Sequence, residues 1–160
     1  MPDLHNTSRS IRRSSQVSTF RKIGQFEISV DGDVVNLWAS PEFNLEAAQE
    51  YAAAMETIID RMPAVFGVMT RFDSPPVIGP DVEASVKETA RHRAQRGMVA
   101  VAFVIANADS GGLSIADVQW HRIYEPIDVP LAIFSDVESA RPWLREQIEF
   151  ARKKRSAQGR

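Results

Sequence analysis

The chain contains no cysteine. That single absence excludes a thiol nucleophile, a thiolate metal site and a C-x-x-C redox motif. Histidine is scarce: His5, His92 and His121 are the full set. No two of them stand at ligand spacing, so no metal site is expected. No apolar stretch approaches the roughly 20 residues of a membrane helix. The N-terminus has no apolar segment of the secretory kind, so the cytoplasm is the expected location. There is no G-x-S-x-G elbow and no Gly-rich phosphate loop. Gly111-Gly112 reads as a turn. With no base visible beside a nucleophile, the expectation is a chain without enzymatic activity, metal or cofactor.

What is present begins with charge. The formal net charge is -2, but it is unevenly spread. Met1 to Lys22 carries Arg9, Arg12, Arg13, Arg21 and Lys22 against Asp3 alone. Ala151 to Arg160 carries Arg152, Lys153, Lys154, Arg155 and Arg160 with no acid. Ile23 to Phe150 is therefore strongly acidic. The basic ends read as solvated, disordered tails over 1–22 and 151–160, because few apolar residues are present to order them. Nucleic acid or anionic lipid would be the alternative partners of such tails. Residues 23–150 then form one domain, long enough to bury a core without disulfides.

The organising stretch of that domain is Met98 to Ala106, apolar throughout and bounded by Gly97 and by Asn107 to Gly112. A short Val/Ile-rich run of this kind reads as a strand buried on both faces. Val99, Val101 and Phe103 are expected on one face, Ala100, Ala102 and Val104 on the other. Upstream, Phe26, Ile28 and Val30 alternate with polar residues. Asp31-Gly32 is a hairpin turn, and Val34 to Ala39 is the return strand. Asn44 is placed as the N-cap of a helix, with Phe43 and Ala48 spaced for a hydrophobic staple. Its stripe is Ala48, Tyr51, Ala52, Met55, Ile59 and Met62, and Pro63 ends it.

Ala64 to Met69 is the next strand, and Arg71 to Pro76 the loop after it. Gly79-Pro80 opens a helix with the seam Val82, Val86, Ala90. Arg91, Arg93 and Arg96 stand near its C-terminal end, where cations are favoured. Ser114 and Asp117 form an S-x-x-D start for a third helix, whose face is Ala116, Trp120, Ile123 and Tyr124. Leu131 to Phe134 is a last strand. Ser135 to Glu138 is a capping box for a final helix with the stripe Val137, Ala140, Leu144, Ile148. Pro142 inside it implies a kink or a late start. The fold class is α/β: a mixed, mostly parallel four- or five-stranded sheet flanked by helices.

This order of elements, the apolar fourth strand and the ending Ile133-Phe134-Ser135-Asp136 with Ala140-Arg141-Pro142-Trp143-Leu144 resemble the SpoIIAA-like proteins of the STAS superfamily. The resemblance covers about Ile23 to Phe150. It implies a non-enzymatic regulatory module that binds a protein partner. The alternative it implies is a carrier or sensor of a small apolar, lipid-like ligand held between sheet and helices. In the STAS antagonists a serine at the start of a helix is phosphorylated. Asp73-Ser74 is the nearest equivalent here, although Pro75-Pro76 follows where those proteins carry a Ser-Gly-type continuation. Asp73, Ser74 and Gly79 are accordingly the candidate regulatory or contact loop. Trp143 is expected to pack on the sheet edge or against a second subunit in a homodimer.

Overall fold

The structure is a computed structural model and describes residues 21–23, 26–40, 44–106 and 110–159. Six strands form one sheet in sequential order. They are β1 (Arg21–Ile23), β2 (Phe26–Asp31), β3 (Val34–Ala39), β4 (Phe66–Phe72), β5 (Met98–Ile105) and β6 (Leu131–Phe134). The first three are antiparallel, and β3 to β6 are parallel. Five strands match the expected mixed sheet. The sixth, β1, is three residues at the edge, and it takes Arg21 and Lys22 out of the expected tail by pairing them with Ile28 and Glu27. The rest of the expected N-terminal tail and the staple residue Phe43 lie outside the described residues.

Four helices cover the sheet: α1 (Leu45–Ile59), α2 (Pro80–Arg96), α3 (Ser110–Tyr124) and α4 (Val137–Gln158). Each of α1, α2 and α3 joins one parallel strand to the next. Sequential strand order with right-handed crossovers puts all three on one face. The chain then passes behind the sheet, and α4 packs against β4, β5 and β6 from the other side. The larger core lies under α1–α3 and includes Phe26, Ile28, Val35, Tyr51, Met55, Phe66, Val101 and Trp120. The smaller one lies under α4 and is built from Met69, Ala100, Ala102, Val104, Ala140, Leu144 and Ile148. Two covered faces explain why β5 is apolar at every position.

The alternation along β5 is interrupted once. Phe66 pairs with Met98 but Gly67 with Ala100, so Val99 is an extra residue. This bulge turns Val99 to the α4 side with Ala100, rather than with Val101 and Phe103 as expected. Gly97, just before it, has φ 121°. A Cβ there would lie 2.1 Å from the Ala64 carbonyl oxygen. Gly67 is needed for a different reason, since its Cβ would meet Leu144 Cδ1 at 2.7 Å.

Several boundaries move. β4 runs to Phe72, because Arg71 and Phe72 pair with β3 and β5 instead of entering the loop. α3 begins at Ser110, one turn before the expected Ser114 start. α1 is capped by Asn44, whose side chain accepts from Ala47 N–H at 2.9 Å. α4 starts at Val137 with Asp136 as N-cap, so Pro142 causes no late start. Proline in the second turn forgoes one backbone bond, and its ring is exposed. The basic C-terminal segment is the last part of α4, not a separate tail. Arg152 reaches Asp33 at 2.7 Å, and Arg155 donates to the Ala64 carbonyl at 3.1 Å. Lysine and arginine are good helix formers, and at a helix C-terminus their charge is favoured.

Candidate functional site

The larger core is incompletely filled where the C-terminal halves of β3, β4 and β5 meet the helices. Thr70 and Phe72 of β4, Leu37 of β3 and Phe103 of β5 form the floor of a cavity of about 40 Å³. Trp120 and Tyr124 of α3 form one wall, Tyr51 of α1 and Arg93 of α2 the other. Pro76, Val77 and Ile78 close the top. Aromatic rings dominate: Phe103 stands edge-on to Trp120 at 4.9 Å and to Phe72 at 5.0 Å, and Trp120 stacks on Tyr124 at 6.5 Å.

The cover is tied down by α3. Gln119 Oε1 accepts from Ile78 N–H at 2.9 Å, and its Nε2 donates to the Ile78 carbonyl at 2.7 Å. Trp120 Nε1 donates to the Pro76 carbonyl at 2.9 Å. Gln119 also reaches Glu83, which takes a two-pronged bond from Arg122 at 3.1 and 2.9 Å and an ion pair from Lys87 at 3.2 Å. Burial raises the Glu83 carboxyl, but the bonds from Lys87, Arg122 and Gln119 prevail and hold it below the usual carboxylate range. The loop is thus fastened by side chains of α3 as well as by the packing of Pro76 and Ile78 on the core. Such a segment opens at lower cost than the sheet beneath it.

Two polar groups lie deep in the wall. Arg93 is 3% exposed. Its Nε and Nη2 donate to the carbonyl and hydroxyl of Thr89 at 3.1 Å each, its Nη1 donates to the Tyr51 hydroxyl, and its guanidinium carbon lies 5.0 Å from the Tyr51 ring centre. The Tyr124 hydroxyl forms no hydrogen bond to any described residue. Burial is the first cause that pushes Tyr124 up to about 12, with Arg93 opposing it and Tyr51 adding to it.

The loop singled out from the sequence is divided by the structure. Asp73 is exposed and lines a separate open groove of about 620 Å³ at the strand ends on the α4 side, with Trp38, Arg71 and Asp136. Ser74 is half-buried and joins neither the cavity nor that groove. Gly79 is exposed and caps α2 through its backbone alone, its carbonyl accepting from Glu83 N–H at 2.9 Å. Its φ of -76° is open to any residue. The structure therefore brings Pro76 to Ile78, not Asp73 and Ser74, to the cavity. Arg93 was read only as a C-terminal cation. The signal that places it inside was the spacing of the seam, since Val82, Val86 and Ala90 advance by four and a further step of three reaches Arg93.

His92 pairs with Glu56 at 2.9 Å and His121 with Asp117 at 3.1 Å. Among the described residues no three His, Asp or Glu side chains converge as a metal site would require. Among them also no helix is long and apolar enough to cross a membrane. Set against family models, curated proteins and solved structures, the chain matches none.

Proposed function

We propose that this chain is a non-enzymatic regulatory module of the STAS type whose signal is a small, largely apolar ligand in the cavity between the sheet and α1–α3. The observation that carries this reading is the cavity itself. Its lining is aromatic and aliphatic with a few inward polar groups, which is the usual make-up of a small-molecule site. Its cover is the Pro76–Ile78 segment fastened by Gln119 and Trp120, so filling the cavity and moving the cover are coupled. The volume of about 40 Å³ holds roughly three water-sized bodies, so a larger ligand requires the cover to lift. The hairpin followed by strand–helix repeats, with an interior apolar β5 and a short last strand leading into α4, supports the STAS resemblance.

A protein partner is the second reading. Val77 on the cover is 53% exposed, and Ile115 and Val118, one turn apart on α3, are exposed too. A partner seated there would read the position of the cover. Native mass spectrometry of protein purified from its own host separates the two. A bound small molecule released on denaturation supports the ligand reading. A co-purifying protein with an empty cavity supports the partner reading instead.

A further inference from the structure

The cavity wall contains a positive charge that no carboxylate among the described residues meets at ion-pair distance. Arg93 is almost wholly buried, and among the described residues no carboxylate lies within 4.0 Å of it. Three of its five N–H groups are used, on Thr89 and Tyr51. Two remain without an acceptor among the described residues. Glu56 acts on it favourably from beyond ion-pair distance, but Glu56 is exposed and already bonded to His92. The C-terminal end of α2 supplies about half an elementary charge at most. Tyr51 and Tyr124 act on the guanidinium through hydroxyl and ring, and neither supplies a carboxylate. A buried ion left in this state is costly, by several kcal/mol in general.

The surroundings indicate where the missing anion belongs. Arg93, Thr70 and Tyr124 all line the same void, and neither the Thr70 nor the Tyr124 hydroxyl has a hydrogen-bond partner among the described residues. A carboxylate accepts from a guanidinium and from hydroxyls at once, whereas an apolar ligand would leave these donors unpaired. The remaining walls are the rings of Phe72, Phe103 and Trp120. We infer that the cavity takes a monocarboxylate with a short aliphatic or aromatic body, its carboxylate held by Arg93 and its body against the aromatic wall.

This inference rests on the reading of the cavity as a ligand site, and the test separates the two. Isothermal calorimetry on the full chain compares acetate, butyrate and benzoate with their primary amides, which match them in shape but carry no charge. The expected result is that an acid binds on the order of ten- to a hundredfold tighter than its amide, the range of a charge-assisted hydrogen bond. Arg93→Gln should abolish that preference and Arg93→Lys should restore part of it. The comparison on the parent chain stands even if a variant does not fold. Equal binding of acid and amide overturns the carboxylate inference and leaves the cavity as an apolar site. A preference that persists in Arg93→Gln overturns the role of Arg93. Binding of neither series overturns both the inference and the ligand reading beneath it.

Discussion

Replacing Tyr124 with phenylalanine should change how the protein's stability responds to alkali while leaving its stability at neutral pH nearly unchanged. The Tyr124 ring is buried against Trp120, and burial, partly opposed by Arg93, pushes its hydroxyl up to about 12. The usual value for tyrosine is about 10. The folded state therefore keeps this proton longer than the unfolded state does. Stability from this source is fully present below about pH 10 and is lost as pH rises toward about 12. At about 1.4 kcal/mol per unit, the loss across that window is about 3 kcal/mol. Tyr124→Phe removes a hydroxyl that has no partner among the described residues, so its stability at neutral pH should stay within about 1 kcal/mol of the parent. The assay is denaturant unfolding of parent and variant at steps from neutral to about pH 12, read alongside tyrosinate absorbance. The parent should lose about 3 kcal/mol more than the variant across the window. Identical pH slopes would refute the burial of this hydroxyl and the account of the wall it belongs to.

Gly97→Ala should destabilise by well over about 1 kcal/mol, since it adds a Cβ at positive φ and 2.1 Å from a backbone oxygen; a midpoint of unfolding equal to the parent's would contradict the bulge geometry. Leu144→Ala, at a site 1% exposed beneath α4, should cost about 2–5 kcal/mol by thermal or urea unfolding. Val101→Asp places an unpaired charge in the middle of β5 and should prevent folding; a soluble variant with unchanged melting would sink the interior-strand assignment. Trp143→Ala should cost less than the roughly 3–5 kcal/mol of a fully buried tryptophan, because Trp143 is only half-buried, 5.6 Å from Phe134 of the edge strand β6. Gln119→Ala should raise hydrogen exchange at Ile78 while leaving β4 and β5 protected, and equal exchange in variant and parent would show that Gln119 does not fasten the cover.

The sheet was legible because burial writes period and run length directly into a sequence. Phe26, Ile28 and Val30 alternate because one side of β2 is more exposed than the other, and β5 is continuous because neither side is. Helix faces were legible for the same reason, and Ala116, Trp120, Ile123 and Tyr124 are all buried as their spacing implied. The bulge at Val99 was not legible, because an extra residue leaves no mark in a run that is apolar at every position. The helical C-terminal segment was missed because its anchors, Asp33 and the Ala64 carbonyl, come from distant parts of the chain. The candidate site was only partly legible. Loop residues Asp73, Ser74 and Gly79 stood out by position, but the cavity needs Tyr51, Thr70, Arg93 and Trp120 from four elements, and only the fold brings these together. Arg93 was the hardest of them, since a charged residue in a helix's last turn ordinarily faces water.

The central claim is that the space beneath the Pro76–Ile78 cover receives a small apolar molecule. Methyl-resolved NMR of the full chain with added toluene tests it most directly. Leu37, Val68, Ile78 and Val86 line the cavity, whereas Val104, Leu144 and Ile148 lie across the sheet under α4 and serve as internal references. Saturable shifts are expected in the first group with the second unchanged. An unperturbed first group, or shifts spread equally over both, would contradict the claim.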